Sequence, residues 1–438
     1  MVRWENDMNI LALDVGMSAV QAAVLDSQTG KAIGVGLARV EFAVHSPGPE
    51  AAEIPWEGWW QALAQAARAA TRHASEVEAI GMAAWAPGLV LVNHKDQPIL
   101  PIRLPNDHRS RPAARQVEAV VGAELLADTG HRPIPGGMSV IGLRQLLLQD
   151  PYLAHEIRSF LHINGWLGLH LTGERAFDAG NASCTGLFGT LTDQAWSPRW
   201  LEYFEIESAW LPEVRSAKDT VGTVRSEVAA ELGVPPGISV KVGFADIASI
   251  MLALDMKPGD LLHVEGNTQL LAMMVDAPRP GPRRFTRQLG VGDKFIYLTH
   301  NPMSGVALDW IKDLCFRDQS QEEFFTRTIA EARERKTRIH LDPPCLAGAP
   351  MEIEARRGAL RDLELTGDRL DVLAGLLSTL TFRHQEALAA LDQTGPVRRV
   401  FLTGAGARRI TPLLPAYQNA EVQEFENGSL FGIAQLFG

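Results

Sequence analysis

The sequence predicts an α/β protein built from two related domains. Its 438 residues exceed the roughly 250–300 residues at which a single hydrophobic core usually divides. Apolar runs with strand character alternate along the chain with segments of helical periodicity, which is the pattern of α/β folds. A strand–turn–strand unit near the N-terminus also has a second copy in the later half of the chain. We therefore expect one domain at 1–246 and another at 247–438.

The repeated unit is the most specific of these observations. Residues 10–26, ILALDVGMSAVQAAVLD, and residues 261–276, LLHVEGNTQLLAMMVD, each read as strand, glycine turn, strand and closing aspartate. A constant offset of 250 relates four pairs: Gly16 and Gly266, Ser18 and Thr268, Ala22 and Ala272, and Asp26 and Asp276. A glycine turn followed by a hydroxyl can point backbone N–H groups outward and bind an anion. Two ordinary β-hairpins remain the alternative, because hairpins also require such turns.

The remaining elements follow from periodicity and from turn residues. Strands are predicted at 77–84, 89–93, 239–244 and 399–403, and helices at 59–74, 111–126, 143–149 and 369–391. Proline and glycine predict surface loops at 278–282 and 343–350. Four arginines at or near the first of these loops are expected to form a solvated basic surface: Arg279, Arg283, Arg284 and Arg287.

Composition and charge exclude several classes of protein. The formal net charge of −11 argues against a nucleic-acid partner or an anionic membrane surface, because both select basic faces. Three cysteines, Cys184, Cys315 and Cys345, form no CxxC pair, so neither a disulfide framework nor a cysteine zinc site is expected. The N-terminus has no signal-peptide pattern, and no apolar run reaches about 20 residues. We expect a soluble cytoplasmic protein.

Two aspartates could carry chemistry. Asp14 ends a strand two residues before the first glycine turn, where a carboxylate can hold Mg²⁺ beside bound phosphates. The alternative for Asp14 is a turn aspartate that bonds its own backbone. Asp246 ends a strand and begins a helix, so it is either a helix N-cap or a general base at the carboxyl edge of a sheet. Phosphoryl transfer needs such a base, a metal on the phosphates and N–H donors for the developing charge.

A third glycine turn follows the strand predicted at 399–403. Gly404-Ala405-Gly406-Ala407 would let a flat ligand approach the backbone. This run lacks the spacing of the dinucleotide motif GxGxxG and the lysine of the phosphate-loop motif GxxxxGK[ST]. On its own it is a weak signal.

Nine segments, taken in order, resemble the FGGY carbohydrate kinases, a branch of the sugar kinase/actin/heat-shock ATPase superfamily. The most specific is Asp178–Phe188, DAGNASCTGLF, followed by Trp196-Ser197. The others are LALDVGMS at 11–18, Trp56–Trp60, Asn106-Asp107-His108-Arg109, His162–Glu174, Asp246, Gly266-Asn267-Thr268, Ser304–Trp310 and Gly404–Ala407. Together they cover nearly the whole chain.

The resemblance implies two ribonuclease-H-like, actin-like ATPase domains with a central cleft that holds ATP, Mg²⁺ and a small sugar, ketose or polyol. Asp246 would be the general base for a sugar hydroxyl, and Asp14 would be the metal ligand. The implied nucleotide-binding residues are Asp14, Gly16, Ser18, Gly266, Asn267, Thr268, Gly404, Ala405, Gly406 and Ala407. The implied substrate-binding residues are Trp85, Asn106, Asp107, Arg109 and Asp246. The expected partners are this small molecule and, at most, a second copy of the chain in a homodimer.

Departures from the family pattern leave alternatives open. The first turn has Met17 where threonine is usual, and Gln21 where the family has a basic residue. The second turn has Asn267 in place of threonine, and Glu265 before it would repel bound phosphates unless it is neutralised. A catalytically weak or inactive kinase-fold protein that binds sugar or nucleotide is therefore the alternative. An actin-like ATPase acting on a partner protein has the least support.

Overall fold

The computed structural model describes residues 8–48, 50–72, 76–266, 268–347, 352–355, 357–391, 397–404, 417 and 420–438. Its strands, in chain order, are β1 Asn9–Val15, β2 Ala19–Asp26, β3 Ala32–Glu41, β4 Glu53–Ile54, β5 Ala79–Ala84, β6 Val90–Val92, β7 Ile102–Arg103, β8 Ser159–Leu161, β9 Ala176–Asp178, β10 Glu213–Arg215, β11 Thr220–Thr223, β12 Ser239–Lys241, β13 Phe244–Ala245, β14 Leu261–Glu265, β15 Gln269–Val275, β16 Phe285–Gln288, β17 Phe295–Asn301, β18 His340–Ala347, β19 Arg357–Arg361, β20 Arg399–Thr403 and β21 Glu421–Glu424.

The α-helices are α1 Trp56–Thr71, α2 Arg111–Thr129, α3 Ser139–Gln149, α4 Ile163–Thr172, α5 Ala179–Ser183, α6 Pro198–Phe204, α7 Ser226–Leu232, α8 Asp246–Ala253, α9 Gly305–Cys315, α10 Gln321–Glu323, α11 Ile329–Arg333, α12 Arg369–Ala390 and α13 Gly428–Gly432. A π-helical stretch, Phe324–Thr328, joins α10 to α11. Short 3₁₀ turns occur at Pro151–His155, Ser208–Trp210 and Ile433–Phe437.

The first sheet has the strand order β11–β12–β5–β1–β2–β3, and β13 also pairs with β5. β1, β2 and β3 are antiparallel, whereas β5 is parallel to β1, and β12 and β13 are parallel to β5. The carboxyl ends of β1, β5 and β13 therefore meet at one edge of the sheet. Ligands of open α/β sheets bind at such edges.

The second sheet has the order β16–β17–β15–β14–β20–β21. β14 is antiparallel to β15 and parallel to β20, which is in turn parallel to β21. The hairpins β1–β2 and β14–β15 thus occupy equivalent places, each with a parallel strand beside its first member. This equivalence confirms the predicted α/β architecture with two related sheets.

The two hairpins differ by one residue in register. In the first, Val15 lies opposite Val20, and in the second Glu265 lies opposite Gln269. The second turn is therefore one residue shorter than the first. The offset of 250 holds at the turn glycines, but it does not describe the cross-strand pairs.

Helix α1 covers one face of the first sheet. It begins after Pro55 and is rich in alanine, the residue with the highest helix propensity. Its buried side chains include Trp59 and Leu63, which pack with Leu11 and Leu13 of β1. Because side chains alternate along a strand, Ile10, Ala12 and Asp14 of β1 project from the opposite face.

The opposite face of the first sheet is covered by α8 and by residues from the C-terminal end of the sequence. Ile10 and Ala12 of β1 share a core with Ile247 of α8 and with Ile433. A Cβ at Gly81 would lie 2.5 Å from a methyl carbon of Ile433, so β5 needs glycine there. The domain boundary after residue 246 stays a prediction, and the segment 428–437 packs across it.

Two predicted segments differ from the structure. The loop predicted at 343–350 is part of β18 as far as Ala347, and β18 pairs with β19 through a bulge between Asp342 and Ala347. Proline cannot donate to a strand ladder, and a bulge removes the need for that donor. The single strand predicted at 239–244 is two strands separated at Gly243, whose φ is +76°.

Helix α12 confirms the helix predicted at 369–391. Asp368 caps it, because its carboxylate accepts hydrogen bonds from the N–H groups of Leu370 and Asp371. With 22 residues α12 is the longest of the described helices. Neither it nor any other helix in the described ranges has both the length and the apolar character to cross a lipid bilayer.

Candidate functional site

Asp14 and Asp246 lie at the same edge of the first sheet. Asp14 of β1 is level with Ala83 of β5, and Ala83 is level with Phe244 of β13. Asp246 follows Phe244 by two residues and is the first residue of α8. Because the three strands are parallel, both carboxylates stand at their carboxyl ends. The structure thus brings together the two acidic residues that the sequence singled out.

The carboxylate of Asp246 is held at one oxygen. The N-cap of α8 is Ala245, so Asp246 does not have the capping position that was its alternative interpretation. Its Oδ1 accepts a hydrogen bond from the N–H of Ile247 at 2.7 Å. Burial raises the pKa of Asp246, while that N–H and the positive charge of Arg287 oppose the rise. A carboxylate with a raised pKa is a better proton acceptor near neutral pH.

Asp14 is half-buried and coupled to Asp246. Burial raises the pKa of Asp14 to about 7; a hydrogen bond from Ser429 opposes this rise, and the negative charge of Asp246 adds to it. Ser429, in the first turn of α13, donates its hydroxyl to Oδ1 at 2.8 Å. Two carboxylates that repel each other in this way are a setting that a divalent cation would stabilise.

A row of polar side chains continues from Asp14 across the first sheet. Asp14 lies opposite Gln21 of β2, and Gln21 lies opposite Arg39 of β3, so all three project from the same face. Oε1 of Gln21 is buried and has no hydrogen-bond partner within the described ranges. Arg39 is half-exposed, lies 3.6 Å from a carboxylate oxygen of Glu41, and its charge lowers the pKa of Asp14. Position 21 lacks a cation, but this row contains one two strands away from Asp14.

The first glycine turn presents backbone donors. The N–H of Gly16 donates to the carbonyl of Ala19 at 2.9 Å, which closes the turn. Met17 and Ser18 are exposed, and the N–H of neither has an acceptor among the described residues. The carbonyl of Ser18 accepts from the N–H of Phe42 at 3.1 Å, which fixes the turn against the end of β3. An anion-binding turn requires this arrangement of free N–H groups.

The second turn lies where α9 begins and β20 ends. The N–H of Gly266 donates to the carbonyl of Thr268 at 3.0 Å, and the carbonyl of Gly266 accepts from Gly305 at 3.2 Å. Gly404, which follows β20, has φ of +104°, and a Cβ there would lie 1.9 Å from the carbonyl oxygen of Glu265. Only glycine fits this position. Three segments named by the sequence analysis therefore converge here.

The Glu265 side chain points into the second domain. It is fully buried, and its Oε2 lies 2.7 Å from Nε2 of His263 and 3.0 Å from Nε2 of Gln269. Its Oε1 accepts a hydrogen bond from the hydroxyl of Ser304, the residue before α9. Every oxygen of this carboxylate is therefore bonded inside the protein.

Two further residues complete this network. Oη of Tyr417 lies 2.9 Å from Nδ1 of His263, and Nδ1 of His384 lies 3.1 Å from Oε1 of Gln269. Burial lowers the pKa of His384 to about 3, so this imidazole is neutral at pH 7. The buried polar cluster comprises His263, Glu265, Gln269, Ser304, His384 and Tyr417. Both oxygens of the Glu265 carboxylate are bonded within this cluster, and its repulsion of bound phosphates stays a prediction.

Asp107 ties together the segment Asn106-Asp107-His108-Arg109, which the sequence analysis assigned to substrate binding. Asp107 is buried, and its Oδ2 accepts from the N–H of Ala52 at 3.2 Å and from Nε of Arg109 at 2.9 Å. Nη2 of Arg109 also donates to Glu53 at 2.5 Å. Asn106 is exposed. Asp107 orients Arg109 through these bonds, and the substrate-binding role of all three predicted residues stays a prediction.

Trp85 and Ala86 follow β5 at the same edge as Asp14. The N–H of Trp85 donates to the carbonyl of Val15 at 3.1 Å, and its indole is buried with no partner for Nε1 in the described part of the chain. The carbonyl of Ala86 accepts from Nη1 of Arg287, on β16 of the second sheet, at 3.1 Å.

Arg284 and Arg287 are both buried, so the predicted solvated basic surface is wrong for these two residues. Both lie on or beside β16, whose four residues are all buried.

Three residues of the site were missed by sequence reasoning. Ser429 lies 415 positions from Asp14, and no local pattern relates them. Arg39 could have been found from the register of the second and third strands. Arg287 lies two residues after Phe285 in a short strand and so shares its face, a signal that the nearby arginines obscured.

Four predicted nucleotide-binding residues lie outside the described residues, and their roles stay predictions: Asn267, Ala405, Gly406 and Ala407. Within the described ranges, no group of three or more His, Cys, Asp or Glu side chains could hold a metal ion. Mg²⁺ in phosphoryl-transfer sites usually takes one or two carboxylates together with substrate phosphates and water. Asp14, whose Oδ2 makes no hydrogen bond to another described residue, fits that requirement.

Comparison with known sequences identifies the family. The profile described as the FGGY family of carbohydrate kinases, N-terminal domain, matches residues 9–253. A xylulose kinase of Streptomyces coelicolor is 29% identical over 252 residues, which cover 57% of this chain and 51% of that protein. The match with the first curated relatives thus spans about half of their length.

Comparison with solved structures agrees. A gluconate kinase from Lactobacillus acidophilus has a TM-score of 0.87 at 15% identity, covering 99% of this chain and 89% of that one. Plasmodium falciparum glycerol kinase with ADP has a TM-score of 0.83 at 16% identity, covering 99% and 90%. These likenesses confirm the fold with two actin-like ATPase domains. Since the family profile matches more than half of its residues, this chain belongs to the FGGY family of carbohydrate kinases.

Proposed function

We propose that this protein is an ATP-dependent carbohydrate kinase that phosphorylates a hydroxyl group of a small sugar, ketose or polyol. The observation that carries the proposal is the pair of carboxylates, Asp14 and Asp246, at one sheet edge beside a turn with two free N–H groups. Phosphoryl transfer requires little more of a protein than a base, a cation site and donors for developing charge. Membership of the FGGY family supports the same activity.

Asp246 is the proposed base. The N–H of Ile247 fixes Oδ1, which leaves Oδ2 to accept the proton of the attacking hydroxyl. A bond forms between the acceptor oxygen and the γ-phosphorus of ATP, and the bond from that phosphorus to the bridging oxygen breaks. ADP leaves with the electron pair, and the proton stays on Asp246. Its raised pKa favours this transfer.

Asp14 and the first turn serve the nucleotide in this proposal. The free N–H groups of Met17 and Ser18 would donate to phosphate oxygens, and Oδ2 of Asp14 is available as a metal ligand. Mg²⁺, when bound, would neutralise phosphate charge between Asp14 and the nucleotide. Ser429 holds the other oxygen of Asp14 and so fixes the direction in which Oδ2 points.

Replacing Asp246 by asparagine tests the proposal. ADP release would be followed against a panel of ketoses, polyols and aldonates, and the best acceptor would be used for the variant. Asp246→Asn should lower kcat by about 10²–10⁴-fold, the usual contribution of a general base, while ATP binding measured by calorimetry stays within a few-fold. Asp293→Asn, at a fully exposed carboxylate, is the control and should change neither. A folded protein that releases no ADP above the acceptor-free background would contradict the proposal.

Gln21 favours a second candidate function. The family's basic residue is absent there, and the amide oxygen of Gln21 is buried without a described partner. A kinase-fold protein that binds sugar or nucleotide but transfers phosphate poorly would fit this difference. Calorimetry that shows acceptor binding without measurable ATP affinity would support it, whereas turnover that depends on Asp246 would reject it.

A further inference from the structure

Arg287 is a buried cation with little to satisfy it. Its side chain is 7% exposed, although β16 belongs to the second domain's sheet. The neighbours of Arg287 on this strand are bonded to the first domain, because Thr286 donates its N–H to the carbonyl of Gly130 and Gln288 donates to the hydroxyl of Ser183. The strand therefore brings the guanidinium across the interface.

The guanidinium uses few of its five N–H donors. Nη1 donates to the carbonyl of Ala86, and Nε is buried with no partner among the described residues. No carboxylate within the described ranges lies at ion-pair distance from Arg287. A buried guanidinium that has an unsatisfied N–H and no ion pair is costly, so this position is expected to bind an anion in the working enzyme.

The position of Arg287 relative to Asp246 indicates which ligand its guanidinium would contact. Its charge acts on Asp246 and on the buried imidazoles of His131 and His162, all of which belong to the first domain. Ala86, whose carbonyl Arg287 bonds, lies two residues beyond Ala84, and Ala84 is level with Ala245, the residue before Asp246. Arg287 thus lies beside Asp246, where the acceptor hydroxyl would bind in the proposed function.

We propose that Arg287 binds a carboxylate group of the acceptor, so that the preferred substrate is a sugar acid instead of a neutral ketose or polyol. This inference rests on the proposed kinase function and names the acceptor class for the same site. A guanidinium binds a carboxylate through two parallel N–H···O bonds, and the unused Nε and Nη donors provide such a pair. The hydroxyl to be phosphorylated then lies at Asp246 while the acid group is anchored by Arg287.

Matched pairs of acceptors test the inference. D-gluconate with D-glucitol, and D-xylonate with xylitol, differ only in the terminal carboxylate. We expect kcat/KM of the wild-type enzyme to be at least tenfold higher for an acid than for its polyol. Arg287→Met keeps the apolar bulk and should reduce this ratio by about ten- to a hundredfold, the value of a hydrogen bond to a charged group. Arg287→Lys should recover part of the ratio because it keeps the charge.

A matched control and a binding measurement keep the test independent of turnover. Arg283→Met, at an exposed arginine four residues earlier, should leave the ratio unchanged. D-gluconate or D-xylonate should raise the melting temperature of the wild-type protein and of Asp246→Asn, and should raise that of Arg287→Met less. The melting-temperature measurement remains informative even when no acceptor is phosphorylated. Binding without phosphorylation would reject the proposed kinase function but not the binding of a carboxylate by Arg287.

Two results would overturn the inference. One is a wild-type enzyme that turns over and binds the polyols as well as the acids. The other is an Arg287→Met variant whose KM for ATP rises while its acid-to-polyol ratio stays constant, because Arg287 would then serve the nucleotide phosphates. Melting temperature and circular dichroism of each variant would establish that it is folded before the ratio is read.

Discussion

The two glycine turns carry the same motif and use their acidic residues differently. Asp14 stands two residues before Gly16, whereas Glu265 stands one residue before Gly266. Side chains alternate along a strand, so these two carboxylates project from opposite faces of their sheets. Asp14 is directed to the edge shared with Asp246, and Glu265 to the buried polar cluster. The duplication therefore repeats the turn but leaves the acidic function in one copy.

The difference shows how an acidic residue beside a phosphate turn can be structural. Glu265 accepts from Gln269 and Ser304 and lies beside His263, so no oxygen remains for a metal. Through Ser304 it ties the start of α9 to the second turn. The second turn would contribute backbone groups to a nucleotide, and the first turn would contribute backbone groups and a charge.

The largest expected effect is at Asp14. Asp14→Asn removes the charge that would hold Mg²⁺, and kcat should fall by about 10³-fold, because metal coordination contributes several kcal/mol to the transition state. Its melting temperature should not fall, since the variant also removes repulsion with Asp246. Steady-state kinetics over a range of Mg²⁺ concentrations would measure this. An Asp14→Asn variant with wild-type kcat would show that the acidic residue beside the first turn, like that beside the second, contributes no charge to catalysis.

Glu265→Gln should show the opposite pattern. Disturbing the hydrogen bonds of a fully buried carboxylate usually costs about 1–3 kcal/mol of unfolding free energy, whereas an effect on chemistry at Asp246 is not expected. The free energy of unfolding from urea titration would measure the loss, and KM for ATP should rise because the second turn and α9 lose their tie. Gln423→Glu, on the exposed strand β21, is a control for changing charge on this sheet. A stable Glu265→Gln protein with low kcat would reverse the assignment of roles.

The pH dependence should also separate the two carboxylates. The pKa of Asp14 is raised to about 7 from 3.8, so its contribution to stability is present below about pH 4 and is lost as pH rises through 7. Binding of Mg²⁺-ATP has the opposite sign, because it needs the carboxylate, and should strengthen up to tenfold per unit until about pH 7. Asp14 would release its proton when Mg²⁺-ATP binds below about pH 7, and calorimetry in buffers of different ionisation enthalpy would detect that proton. Asp14→Asn should abolish that release, and Glu265→Gln should retain it.

The smallest expected effect is at Arg39. This arginine is half-exposed, so its electrostatic contribution is worth at most about 1 kcal/mol. Arg39→Met should raise KM for ATP by about two- to fivefold and should move the proton-release profile to higher pH, because Arg39 lowers the pKa of Asp14. Arg361→Met, at an exposed arginine of β19 outside this row, is the matched control and should change neither. An unchanged profile would show that the row Asp14–Gln21–Arg39 does not act on the nucleotide.

Much of the fold follows from local sequence patterns. The hairpin at 10–26, the helix at 369–391 and the strand at 399–403 have turn, cap and periodicity signals within a few residues, and the structure has all three. The one-residue change of register was not predictable, because turn length is set by backbone bonds that the offset between the copies does not reveal.

The site was predictable where it rests on strand ends and unpredictable where it rests on distant contacts. Asp14 and Asp246 could be placed at a sheet edge because each ends a strand. Ser429 and Arg287 reach the site only through packing between remote segments, and no period or spacing encodes such contacts. The direction of the Glu265 side chain lies between these two cases. It can be predicted from the alternation of side chains along β14, but only once the limits of that strand are known.

The packing of α13 has a consequence for synthesis on the ribosome. Residues 428–437 cover Gly81 and the core of the first domain, and Ser429 holds Asp14. A growing chain emerges from its N-terminus, so the part of this face that residues 428–437 cover would stay exposed until more than 400 residues have been translated. The carboxylate of Asp14 would gain its hydroxyl partner only then. The partly covered sheet of a half-made chain would be a target for chaperones.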